Sequence, residues 1–104
     1  MLIDTHAHLQ ADAFDADRAA MLDRAGAAGV GRVVVIGSNV DDSRAGLEMA
    51  RTDSRLVCTV GVHPHDARLL DHPGLTALRE MTADPNVRAI GEIGLDFHYD
   101  FSPR

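Results

Sequence analysis

Two patterns exchange along this chain: short apolar runs with no polar alternation, and Ala- or Leu-bearing segments with helical spacing. "MLID", "RVVVIGS", "RLVCTVGV" and "VRAIGEIGLD" are runs of the first kind. A strand that is apolar at nearly every position is covered on both faces, which marks a parallel sheet. Between the runs lie "DADRAAMLDRAGAAG", with Ala19, Leu22 and Ala25 on one helical face, and "DDSRAGLEMART". The third such segment is "HPGLTALREMTAD", with Pro73 near its start and Leu75, Leu78 and Thr82 along one face. Asp15 is expected to cap the first helix and Gly29 to stop it, and acidic residues are expected to cap the second. The order is β-α-β-α-β-α-β, and connections of this length give right-handed crossovers within one parallel sheet.

Two parallel architectures fit that order. An open doubly wound sheet normally carries a glycine-rich loop after its first strand. Here the first strand runs into "THAHLQ", which has no glycine. A TIM (β/α)₈ barrel instead gathers its chemistry at the C-terminal ends of several strands. The polar residues at those ends are His6 and His8, His63 and His65, and Glu92 and Asp96. The expected fold class is therefore α/β, the N-terminal half of a TIM barrel, since a whole barrel needs ~250 residues. Residues 1–104 contain no linker-like stretch and read as one incomplete barrel domain without an internal boundary.

The net charge of −6, from 16 acidic and 10 basic residues, argues against broad clamping of nucleic acid by Lys and Arg. It leaves room for an enzyme that holds phosphates through metal ions. The longest strongly apolar run, "VVVIG", falls far short of the ~20 residues a membrane helix needs. The start lacks the basic-then-apolar profile of a secretory signal. The single cysteine, Cys58, has no internal partner and reads as a core residue. A cytoplasmic protein with no membrane partner is the expectation.

In "DTHAHL" an extended backbone aims His6 and His8 to the same side, where two imidazoles converge on one metal ion. The competing reading is a pair of surface or core histidines. Asp4 is either an acceptor that orients a ligand or a group that bonds nearby backbone. Glu92 sits among Ile90, Ile93 and Leu95, where a carboxylate needs a cation or a salt bridge to offset desolvation. Gly91 and Gly94 leave room for close approach, which favours a metal ligand. Asp96 either faces the substrate or caps the following turn. "GVHPHDA" presents His63 and His65 around a turn, as donors to an anion or as a general acid, or with one of them turned to solvent. His72 and His98 carry no assignment.

"DTHAHL", "GVHPH" and "AIGEIGLDF" followed by "YDFSPR" together resemble the TatD-type metal-dependent deoxyribonucleases of the metal-dependent hydrolase superfamily, from Met1 to Arg104. The resemblance implies a TIM barrel, one or two divalent ions (Mg²⁺, Mn²⁺ or Zn²⁺), and hydrolysis of phosphodiesters at DNA ends. Some relatives resemble D-aminoacyl-tRNA deacylases, which break an ester. By the same resemblance His6 and His8 are metal ligands, and Glu92 is the catalytic carboxylate that ligates and bridges the ions. His63 and His65 match residues of the substrate-facing loop, and Asp96 is expected beside them as a third substrate-binding residue. Ala7 and Phe97 stand where the family often has cysteine and tyrosine. Later ligands of the family lie beyond Arg104, so the chain is expected to be an N-terminal piece, inert alone and prone to self-association. The open readings are a nuclease, an ester or amide hydrolase, and a non-catalytic half-barrel.

Overall fold

Strands β1 (Leu2–Ala7), β2 (Val30–Val35), β3 (Leu56–Val60) and β4 (Val87–Ile90) pair in that order, all parallel, in the computed structural model of residues 1–104. Helices α1 (Arg18–Ala27), α2 (Val40–Thr52) and α3 (His72–Met81) make the crossovers. This is the alternating α/β order expected from the apolar runs. Short 3₁₀ turns at Asp12–Phe14 and Pro64–Leu69 follow β1 and β3.

The sheet splits its side chains by strand alternation. Val33 and Val35 of β2, with Leu56, Cys58 and Val60 of β3, pack against Leu22, Leu47, Ala50, Leu78 and Met81 of the helices. Cys58 is completely buried in that layer, as a core residue. Burial pushes its thiol up to about 11, so it stays protonated and inert. Thr59 has the opposite parity and leaves on the other face. So does His6, whose neighbour Ala7 packs against the core.

The helix ends differ from expectation. A 3₁₀ turn occupies the approach to α1, so the helix starts after Asp17 rather than Asp15. Asp15 instead takes a hydrogen bond from Arg18 at 2.7 Å. The inward face of α1 is Met21, Leu22 and Ala25, while Ala19 is exposed. Asn39, not an aspartate, caps α2, accepting from the Asp42 backbone N–H at 2.8 Å. In α3 the cap is Asp71, and the buried residues are Leu78 and Met81, with Leu75 turned outward. Gly29 closes α1 as expected, with φ of 100° in the region that favours glycine. No helix is long and apolar enough to cross a membrane.

Because all strands run the same way, their C-terminal ends open onto one side. The segments after Ala7, Val35, Val60 and Ile90 meet there.

Candidate metal centre

The loop after β1 is held from two directions. Arg18 donates to the carbonyls of Leu9 and Ala11 at 2.6 and 3.0 Å. Gln10 donates to the Ile36 carbonyl at 2.8 Å and to Asp42 at 3.0 Å. Asp42 also receives the Ser38 backbone N–H and hydroxyl at 2.9 and 2.8 Å. The carbonyl of Ser38 in turn accepts from the backbone N–H of His63 at 2.8 Å. A continuous run of hydrogen bonds thus ties the loop that carries His8 to the loop that carries His63.

Beneath them, glycines let the strand ends approach. A Cβ on Gly61 would lie 2.7 Å from the Gly91 carbonyl carbon, and one on Gly37 would lie 2.9 Å from the Thr59 carbonyl oxygen. The β4 strand stops at Ile90, so Glu92 stands on the loop beyond it rather than inside the strand. Its backbone N–H donates to the Gly37 carbonyl at 2.7 Å, which turns the side chain toward β1.

His6, His8 and Glu92 converge. One donor atom from each, two imidazole nitrogens and a carboxylate oxygen, lies within 4.8 Å of the others. His6 Nε2 is 3.6 Å from Glu92 Oε2. Donors that share a four-coordinate ion at ~2.0–2.1 Å stand roughly 3.4 Å apart, a spacing close to that of this set. Glu92 points its second oxygen the other way, with Oε1 at 3.4 Å from His63 Nε2. The Glu92 side chain is half-buried, so its charge is only partly relieved by water.

The remaining histidines have distinct surroundings. The Nδ1 atom of His63 accepts the His65 backbone N–H at 3.0 Å. That bond assigns the proton of the neutral ring to Nε2, the atom facing Glu92. The His65 ring sits edge-on to His63, Tyr99 and Phe101, with centroids at 4.3, 5.5 and 4.8 Å. Its Nε2 meets Asp96 Oδ2 at 2.6 Å.

Asp96 is outside the convergent cluster. The strand does not continue to it, so the parity that would align it with Glu92 does not apply. Its Oδ1 caps the next turn, accepting the backbone N–H groups of His98 and Tyr99 at 2.8 and 3.1 Å. Asp4 also bonds locally, to the His6 backbone N–H at 3.0 Å. The β1–β2 register slips between Asp4 and Ala7, so Asp4 and His6 do not keep the same-side alternation of a regular strand.

The backbone bonds from Tyr99 and His98, and then His65, hold the Asp96 carboxyl below the usual carboxylate range. A depressed carboxyl contributes to the turn above its unfolded value of ~3.9, and the contribution is lost as pH falls through the lower folded value. Protection of the His98 and Tyr99 amides from exchange, taken relative to the intrinsic rate at each pH, should therefore hold steady from neutral pH down to about 4 and fall below it. Asp96→Asn should flatten that profile.

Sequence reasoning passed over Thr59 and Ser43, whose buried hydroxyls bond the glycines at the strand ends. For Thr59 the available signal was a polar residue inside the apolar run "RLVCTVGV"; Ser43, in "DDSRAGLEMART", had none.

The family model described as TatD related DNase matches residues 3–104. The Bacillus subtilis protein named "Uncharacterized metal-dependent hydrolase YabD" is 39% identical over 104 residues, covering 100% of this chain and 41% of the relative. The Cronobacter turicensis "3'-5' ssDNA/RNA exonuclease TatD" is 38% identical over 101 residues, covering 97% of this chain and 38% of its own. The crystal structure of YJJV, a TatD homologue from Escherichia coli K12, superposes with a TM-score of 0.87 at 33% identity. That match covers 95% of this chain and 39% of the other, and it agrees with the N-terminal part of a TIM barrel. The chain thus spans about two fifths of the relatives it matches. With the family model covering all but the first two residues, the chain belongs to the TatD related DNase family.

Proposed function

We propose that residues 1–104 form one incomplete barrel unit of a divalent-metal-dependent hydrolase that cleaves phosphodiesters at nucleic-acid ends. The single observation that carries the reading is the convergence of His6, His8 and Glu92 within 4.8 Å. The names of the relatives supply the reaction class: one is called a metal-dependent hydrolase, another an exonuclease of single-stranded DNA and RNA. Two imidazoles suit Zn²⁺ or Mn²⁺, and the carboxylate suits Mg²⁺ or Mn²⁺.

In this reading His6 and His8 hold the ion from the β1 side, and Glu92 from the β4 side. A divalent ion bound there supplies Lewis acidity toward a phosphoryl oxygen and lowers the pKa of water. Glu92 offers its two oxygens in different directions, toward His6 and toward His63, as a bridging carboxylate would. His63 presents the Nε2 proton at the edge of the cluster, as a donor to a substrate oxygen. His65, fixed by Asp96, orders the loop that carries His63 and lines the approach. Holding phosphates through metal also accounts for a nuclease with net charge −6.

The test offers a single-stranded DNA with a labelled 3′ end, and separately an aminoacyl ester, to the protein that carries this segment. Metal-dependent release of nucleotides is the expected result. Ester hydrolysis without nucleotide release would move the chain to the ester-hydrolase branch. Nucleotide release that persists in chelator would contradict the metal reading.

A further inference from the structure

We infer that Thr59 is a positioning residue for Glu92, acting through the peptide that joins Gly91 to it; the inference rests on the metal-centre reading of Glu92. Thr59 is 7% exposed, on the face of the sheet opposite the helix-packed core. Its hydroxyl donates to the Gly91 carbonyl at 2.8 Å and accepts the Gly37 backbone N–H at 3.3 Å. The Gly37 carbonyl then accepts the Glu92 backbone N–H at 2.7 Å. Both polar groups of the Gly91–Glu92 peptide are therefore fixed, one by Thr59 and the other by the residue Thr59 holds. Thr59 supplies the only side chain in this ring of bonds.

Packing alone does not call for a hydroxyl at this position. Valine has nearly the same shape, is favoured in strands, and already occupies positions 57 and 60 of the same strand. Losing the hydroxyl leaves a carbonyl and an N–H short of partners, in a place where water is largely excluded. The peptide plane from which Glu92 projects then becomes free to tilt. A carboxylate that must share an ion with His6 and His8 tolerates little tilt, because outer partners of metal ligands set ligand orientation. Ser43, at the start of α2, makes a similar clasp. It is completely buried, accepts the Gly61 N–H at 3.0 Å and donates to the Gly61 carbonyl at 3.1 Å, at the root of the His63 loop.

The experiment compares the wild-type chain with Thr59→Val, Thr59→Ala and Thr59→Ser by two measurements. One is Mn²⁺ affinity by calorimetry, and the other is amide exchange at Glu92 in metal-free protein. Removing the hydroxyl, with Val or with the smaller Ala, is expected to weaken Mn²⁺ binding about tenfold or more. It should also speed exchange at Glu92, with amides of α2 unaffected. Thr59→Ser, which keeps the hydroxyl, should restore both. Wild-type affinity and wild-type Glu92 exchange in Thr59→Val or Thr59→Ala would overturn the inference. So would a loss of affinity in Thr59→Ser as large as in the others, since that follows from packing. If the wild-type chain takes up no Mn²⁺, the metal reading fails by itself, and the exchange measurement alone decides whether Thr59 positions Glu92.

Discussion

Glu92→Gln should lower the affinity of this chain for Mn²⁺ or Zn²⁺ by about 100-fold or more, well beyond what an outer partner costs. The change removes the one anionic donor of the convergent set and keeps the side chain's size. Two imidazoles from β1 and its following loop would remain, and they hold an ion poorly alone. The fold should persist, because Glu92 is held by its backbone N–H to Gly37 rather than by its carboxylate. Calorimetry together with an unchanged thermal midpoint checks both halves of the prediction. Wild-type affinity in Glu92→Gln would show that this carboxylate holds no ion.

The second large effect concerns association. β1 and β4 are the two ends of the sheet, each with an unpaired edge. Beside those edges Leu2 and Ile3 are 65% and 53% exposed, and Ile90 and Ile93 are 55% and 61% exposed. Unpaired edges next to apolar side chains invite pairing with another chain. The 104 residues should therefore elute as dimers or larger species at about 100 µM, in the range where such surfaces aggregate. Replacing Ile3 and Ile90 together by lysine should shift the population toward monomer, because charge blunts an edge. Light scattering decides it, and a wild-type monomer would contradict the expectation.

The chain wrote its architecture more legibly than its details. Uninterrupted runs such as "RVVVIGS" identify buried parallel strands because a sheet covered on both faces has no need of alternation. The histidines at strand ends were visible for a similar reason: parallel strands deliver their C-terminal residues to one place. Helix starts were harder. Asp12, Asp15 and Asp17 are all competent caps, and a 3₁₀ turn decides among them. Asn39 caps α2 ahead of the aspartates that follow it, while the Asp42 carboxylate is engaged by Ser38 four residues earlier and by Gln10 from the loop after β1. Leu75 lies on the exposed side of α3 because the helix turns Ala77, Leu78 and Met81 to the core. Parity failed as a guide in two places: at the register slip within β1, before Ala7, and beyond Ile90, where the strand has ended. Thr59 gave only a faint signal for another reason: one threonine in a strand is ordinary, and its partners Gly37 and Gly91 are far away in sequence.

Whether His6, His8 and Glu92 form one metal centre across the first and last strands is open to a direct measurement. Paramagnetic broadening reports it, by titrating Mn²⁺ into isotopically labelled chain and following every backbone signal. Signals of residues 6 to 8 and 91 to 93 should broaden first, together with His63, while Leu47 and Leu78 in the helices stay sharp. Broadening confined to the acidic stretch around Asp12, Asp15 and Asp17, with the three converging residues untouched, would contradict the metal centre.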